Sequence, residues 1–192
     1  MRERIIEGFG QRAFKVGFHA ATVDDLSAGT GISKRTIYRY FRSKDAIIMA
    51  VMDGFLAEAE KKIYAALASA ENPVEKITRL IRVVSDHLKI LNPIIINDMQ
   101  KYYPHVWTHI ESYRAQKARE IISILIAGNS QGYFRETIPE IFVTALLASI
   151  RDVLNPYFII QNNLVPEEAA VCLFNMFMYG IVSDEARGSR PL

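Results

Sequence analysis

Apolar residues recur three and four positions apart along almost the whole chain, and no stretch alternates apolar with polar long enough for a half-buried strand. This regularity restricts the fold more than any other feature. Side chains spaced in this way share one face of a helix, so the chain has to bury helix faces against helix faces. The expected class is all-α. A first helix covers about Arg2 to Val16, with Ile5, Ile6, Phe9, Ala13 and Phe14 on one side, and Gly17 stops it. A long helix is expected from Lys44 to about Ala70, suited to connect two domains. Asn72-Pro73-Val74-Glu75 restarts the chain with a cap, a first-turn proline and an acid. That helix ends before Asn92-Pro93, and the next runs from about Ile94 until Pro104 breaks it. Further helices are expected over His105 to Ser130, from Pro139 to about Gln161 with a kink at Pro156, and from Pro166 to about Ser183. The starts at Pro139 and Pro166 lack a capping side chain, because Ile138 and Val165 precede them. A polar tail from Asp184 to Leu192 reads as frayed.

The stretch with the sharpest local signals is Thr22 to Lys44, TVDDLSAGTGISKRTIYRYFRSK. Thr22 lies three residues before Asp25, the spacing of a capping box, and two acids sit in the first turn of the helix that follows. Gly29 and Gly31 bracket its end. Ser33 can cap a short helix ending near Phe41, and Ser43 can cap the long helix with Asp45 in its first turn. Two short helices around a glycine turn describe a helix-turn-helix. Leu26, Ile32, Ile37 and Phe41 would form its small core. Lys34, Arg35, Thr36, Tyr38, Arg39 and Tyr40 are left for the outer faces.

Charge is distributed to match. The net charge is only +2, yet residues 1–50 carry nine Lys or Arg against five acids, and the remainder is slightly acidic. Between residues 31 and 44 there are five basic residues and no acid. A short, purely positive segment in a nearly neutral protein points to phosphate as the partner.

The segment closely resembles the tetracycline-repressor family. That family carries Thr-Val-x-Asp-Ile-Ala followed by Gly-Val-Ser-Lys-x-Thr-Leu-Tyr-x-Tyr-Phe-x-Ser-Lys-Glu. At those positions this chain has Thr22, Val23, Asp25, Leu26, Gly31, Ile32, Ser33, Lys34, Thr36, Ile37, Tyr38, Tyr40, Phe41, Ser43, Lys44 and Asp45. The resemblance is tight over about the first 50 residues and agrees in helical character over the rest. It implies a DNA-binding domain over 1–48 and an effector-binding and dimerisation domain over 49–192. It also implies that Thr22, Tyr38, Tyr40 and Lys44 contact phosphates, while Lys34, Arg35, Thr36 and Arg39 face base edges. Ser33, at the cap, belongs to the same interface. Arg pairs bidentately with guanine and the Thr methyl suits a thymine methyl, which supports that division. Arg35 stands where many relatives carry a small residue, and Thr30 where alanine is usual. With only Arg2 and Arg4 ahead of the first apolar residues, no minor-groove arm is expected.

Family members usually bind a small organic effector in the second domain and dimerise through their last two helices. Tyr102, Tyr103, His105, Trp107, His109 and Tyr113 cluster within residues 99–113. Aromatic bodies with polar tips can hold an organic ligand, or they can simply pack helices. Met99, Tyr102, Tyr103, Trp107, His109 and Tyr113 are the candidates to line an effector pocket. Phe142, Leu146 and Ile150 in the penultimate helix, with Phe174, Phe177 and Met178 in the last, are the candidates for a dimer interface. The last helix is apolar nearly all round, which requires burial on more than one side.

Enzymatic chemistry finds no support: there is no nucleophile with a base, no paired carboxylates and no phosphate-cradling loop. Gly8-Phe9-Gly10 lies inside the first helix and lacks a third glycine. The single cysteine, Cys172, reads as packing. His105 and His109, four apart, are too few for a metal site, and no cofactor is expected. The most apolar stretch, Ala169 to Val182, is interrupted by Asn175 and Gly180, so a cytoplasmic protein is expected. The expected function is a homodimeric, ligand-responsive transcriptional regulator, a repressor binding a pseudo-palindromic operator in double-stranded DNA. The alternative is a helix-turn-helix protein controlled by a protein or peptide partner.

Overall fold

The computed structural model describes residues 1–88, 90, 93–127 and 132–181. The polar tail and the expected helix ends at Ser130 and Ser183 lie outside these residues. Ten helices follow one another: α1 (Arg2–Val16), α2 (Val23–Thr30), α3 (Lys34–Tyr40), α4 (Lys44–Ala68), α5 (Pro73–Leu88), α6 (Pro93–Tyr102), α7 (Pro104–Ala127), α8 (Pro139–Val153), α9 (Pro156–Gln161) and α10 (Pro166–Ile181). The all-α class expected from periodicity is the observed one.

Where the sequence offered caps, the caps form. The Asp25 backbone N–H donates to the Thr22 hydroxyl at 3.0 Å, and the Asp25 carboxylate accepts from the Thr22 N–H at 3.1 Å. The Thr36 N–H donates to Ser33 Oγ, Ala46 N–H to Ser43 Oγ, and Glu75 N–H to Asn72 Oδ1. Ile138, before α8, makes no side-chain cap bond. One expectation fails. The helix expected to run through Pro156 with a kink is instead two helices, α8 and α9. Proline has no N–H to continue the ladder, and here it occupies the first position of a new helix. The Asn155 carbonyl accepts the Ile159 N–H at 3.0 Å, which starts α9 afresh.

Two compact units result, one from Met1–Glu60 with Ile90–Glu111, the other from Lys61–Lys89 with Ser112–Leu192. Packing therefore groups α6 and the start of α7 with the N-terminal helices, and α4 contributes to both units. In the first unit Ile5, Phe9, Ala13, Phe18, Ile37, Ile47, Ile48, Met52, Ile95, Met99 and Val106 are buried. Phe14 packs edge-on to Phe18, with centroids 5.5 Å apart, and Phe18 also meets Phe9. In the second unit Ile77, Leu80, Ile121, Ile122, Phe134, Val143, Leu146, Phe174 and Met178 form one apolar core, with α10 packed on α5 and α8.

The turn after α1 depends on glycine. Gly17 has φ 93°, and a Cβ there would lie 2.6 Å from Asp98 Oδ2 and 2.9 Å from Ile94 Cγ2. Gly17→Ala is therefore opposed by backbone strain and by α6. Its expected effect is a loss of more than about 1 kcal/mol, read as a lower urea midpoint at an unchanged slope.

Candidate nucleic-acid interface

Helix α3 is held from three directions. Gly31 closes α2 in the left-handed region at φ 69°, so the chain can turn sharply into α3. Leu26, Ile32, Ile37 and Phe41 are each no more than 5 % exposed, which anchors both helices from below. Thr30, at the end of α2, donates its hydroxyl to the Leu26 carbonyl at 2.7 Å and accepts the Ile32 N–H at 3.3 Å. Its methyl occupies the space left by Gly8 on α1, where a Cβ would lie 2.6 Å away.

With its inner face so engaged, α3 turns Lys34, Arg35, Tyr38, Arg39 and Tyr40 outward. Tyr38 is 48 % exposed and Tyr40 42 %, an unusual placement for large aromatic side chains that suits stacking or hydrogen bonding to a partner. The Arg39 guanidinium lies 5.5 Å from the Tyr40 ring centroid. Thr36 is half-buried, and its hydroxyl bonds that of Ser33 at 2.9 Å.

Three residues expected at this surface already have partners. The Thr22 hydroxyl donates to Asp25 Oδ2 at 2.8 Å, so its single hydrogen is engaged within the capping box. Lys34 forms an ion pair with Asp24, on the first turn of α2. Lys44 donates to the His19 carbonyl at 2.8 Å. Burial holds the Lys44 ammonium below its usual pKa, and the carboxylates of Asp98, Asp45 and Asp25 partly oppose this.

Lys44 belongs to a second cluster that sequence reading missed. Asp98 of α6 is buried, and its Oδ2 accepts the His19 backbone N–H at 2.8 Å. The His19 ring stacks on Tyr102 with centroids 3.8 Å apart. Tyr103 is buried beside Lys44, whose Nζ lies 5.9 Å from the ring centroid. Burial, then Asp45 and Asp98, push the Tyr103 phenol above its ordinary pKa. Thus both backbone groups of His19 are held, the N–H by Asp98 of α6 and the carbonyl by Lys44 of α4. No signal local to residue 19 or 98 announces a contact across 79 positions.

The other candidates scatter. Met99 and Tyr103 are buried, Trp107 and Tyr113 are half-buried, and Tyr102 and His109 are exposed. His109 Nε2 lies 2.8 Å from Asp53 Oδ1, and His105 Nε2 3.4 Å from Asp45 Oδ2, so both imidazoles of α7 face carboxylates of α4. Among the described residues no three or more His, Cys, Asp or Glu side chains are grouped to hold a metal ion. One surface groove follows α10, lined by Glu168, Val171, Cys172, Asn175, Met176 and Tyr179. Another lies between α1 and α4. None of the six effector candidates lines either groove. Leu146, Phe174 and Met178, offered for a dimer interface, are instead buried in the second unit's own core, and Phe142, Ile150 and Phe177 pack against it. Cys172, expected to be packed, is exposed.

Residues 12–51, which contain the whole α2–α3 arrangement, match the tetR family of bacterial regulatory proteins. Their relatives extend the match beyond this head. The HTH-type transcriptional regulator YvaF of Bacillus subtilis is 28 % identical over 167 residues, which are 85 % of this chain and 87 % of that protein. The head of the chain is that of the TetR family of DNA-binding transcriptional regulators. This regulator is also 25 % identical to the transcriptional repressor KstR2 of Mycobacterium tuberculosis H37Rv, over 71 % of its own length and 68 % of the other's. In fold it is similar to the crystal structure of a transcriptional regulator from Cytophaga hutchinsonii, with a TM-score of 0.77, 21 % identity and coverage of 94 % and 98 % of the two chains. Among its described residues no helix is long and apolar enough to cross a membrane.

The capping box gives the head a defined acid response. The side-chain and backbone donors of Thr22 hold the Asp25 carboxyl below its ordinary pKa. A depressed folded value stabilises the fold above the unfolded value, near 3.9, and that contribution is lost as pH falls through the folded one. Stability should therefore decline on acidification below about pH 4, and Asp25→Asn should flatten that part of the profile in urea titrations at stepped pH.

Proposed function

We propose that this regulator is a homodimeric repressor that reads a pseudo-palindromic operator and is released from it by a small organic effector. Residues 1–48 would read DNA, residues 49–192 would bind effector and dimerise, and the protein would act in the cytoplasm. The observation that carries the reading is the outward face of α3. Arg35, Tyr38, Arg39 and Tyr40 project from a helix whose opposite face is locked into the head. A seven-residue helix spans roughly 10 Å and covers one half-site, so a second copy is needed to engage the next major groove about 34–36 Å away. Similarity to a protein named as a repressor favours repression over activation.

The second copy has a suitable surface. On α10, Met176 is 67 % exposed and Tyr179 54 %, with Val171 beside them, and on α8 Ile141 is 63 % exposed. This apolar strip is the outer side of helices whose inner side is the unit's own core. A two-fold related copy would cover it with the same strip. Dimerisation would then run through Val171, Met176 and Tyr179, beside the expected Phe174 and Met178, which complete the unit's core.

Effector control is supported by the tie between α6 and the head. A ligand that favours one position of α6 would pull on His19 and hence on the α1–α2 turn, shifting the reading helices out of register. The shift is limited by the ligand's affinity difference between the two states. Control by a protein or peptide partner is the second reading. It draws on the burial of Met99 and Tyr103, two of the residues expected to line an effector pocket.

Selection from a random duplex pool tests the main reading. An inverted repeat should be enriched, and small molecules can then be screened for its release. No enrichment by folded protein free of ligand would overturn it. Met176→Lys should convert the dimer to monomer in sedimentation and abolish tight binding to the repeat. Arg39→Ala should cost about 1–3 kcal/mol on the enriched site and relax preference at one base pair. An equal loss on every sequence would make Arg39 a phosphate contact.

A further inference from the structure

Two acids occupy the first turn of α2, and they have different employment. The Asp25 carboxylate is taken up by Thr22 in the capping box. Asp24 takes no part in that cap. Its carboxylate reaches past the turn to the ammonium of Lys34, the first residue of α3. The side chains of Lys34 and Asp24 are 56 % and 67 % exposed, so both stand at the surface that would meet DNA. Between residues 31 and 44 every charge is positive, but in space one of those charges is already neutralised by the helix next door. Arg35, one residue on, has no such carboxylate partner among the described residues.

An exposed pair of this kind is weak in water, because solvent and salt screen it. Beside DNA it has a larger consequence. Lys34 can reach a phosphate only by leaving Asp24, and the carboxylate it leaves then faces a polyanion with no counter-charge. A pair left intact brings no net charge to the backbone and displaces no counterion. Non-specific binding, which rests on phosphate neutralisation, would lose one contact. Sequence-specific binding, which also draws on base edges, would lose proportionately less.

We propose that Asp24 is a positioning residue for DNA discrimination: by pairing with Lys34 it withholds that lysine from phosphate and suppresses binding to non-operator DNA. This rests on the reading of the chain as a DNA-binding regulator. The carboxylate makes the head less sticky, and the ratio of operator to random affinity rises as a result.

The test is a double-mutant cycle on the full chain, with Asp24→Asn, Lys34→Gln and the double variant. Each is titrated against a mixed-sequence duplex, and against the duplex enriched by selection, at stepped salt. Asp24→Asn should tighten binding to the mixed-sequence duplex by about two- to fivefold at low salt, the range an exposed ion pair allows. It should steepen log K against log salt by about one unit and lower the enriched-to-mixed ratio. In the Lys34→Gln background the same substitution should change neither quantity. A cap defect would not alter a salt slope, and unchanged urea midpoints confirm that the cap is intact. The proposal is overturned if Asp24→Asn leaves the slope as it was, weakens both duplexes alike, or acts equally with and without Lys34. That last outcome would reduce Asp24 to a general negative charge near DNA. If the unaltered protein binds neither duplex, the DNA-binding reading fails first, and the two failures are distinguishable.

Discussion

A helix of seven residues cannot hold itself together in water, since nucleation costs more than so few hydrogen bonds return. The orientation of α3 therefore depends on how its inner face is seated. Ile37 and Phe41 are sunk beside Leu26 and Ile32, Gly31 supplies the one backbone conformation that lets the chain double back, and Ser33 closes the first turn. The fit of the Thr30 methyl against Gly8 extends that seating to α1. The exposed side chains of α3 are thus presented from a well-seated helix, the kind of support that fixes a binding surface in one geometry.

Charge in the same unit is sorted more finely than its sequence total suggests. An excess of basic residues would give a uniformly attractive surface if every cation were free. Instead Lys34 is paired with Asp24, and Lys44 is turned to the His19 carbonyl beside the buried Asp98. What remains outward on α3 is arginine and tyrosine. Their planar, directional groups discriminate among partners better than a flexible ammonium does. Lys34 and Lys44 here tie parts of the molecule together.

The second unit solves a different problem. Its last helix is apolar on both sides, and one side, through Phe174 and Met178, completes a core with α5, α7 and α8. The other side, through Val171, Met176 and Tyr179, is uncovered in a single chain. A surface of that kind is unfavourable in water and favourable in an assembly. Opposite faces of one helix thus differ in role: one completes the unit's core, and the other is left to solvent in the single chain.

Much of this was legible in the sequence, for reasons that can be stated residue by residue. Helix limits, the capping box at Thr22 and Asp25, the Ser33 and Ser43 caps, the Gly31 turn and the core of Leu26, Ile32, Ile37 and Phe41 all depend on residues within a few positions of one another. Spacing alone determined them, and with them the all-α class and the helix-turn-helix. Pro156 was legible as a disturbance, but whether the chain bends or restarts is settled by what Asn155 and Ile159 find to bond. The tertiary structure alone decided which apolar face of α10 turns inward, where Lys34 and Lys44 place their charges, and that Asp98 grips His19. The ion pair and hydrogen bonds among those outcomes join residues 10 to 79 positions apart. Periodicity repeats every three or four residues and marks two apolar faces alike, so it carries no information about which distant group will meet either one.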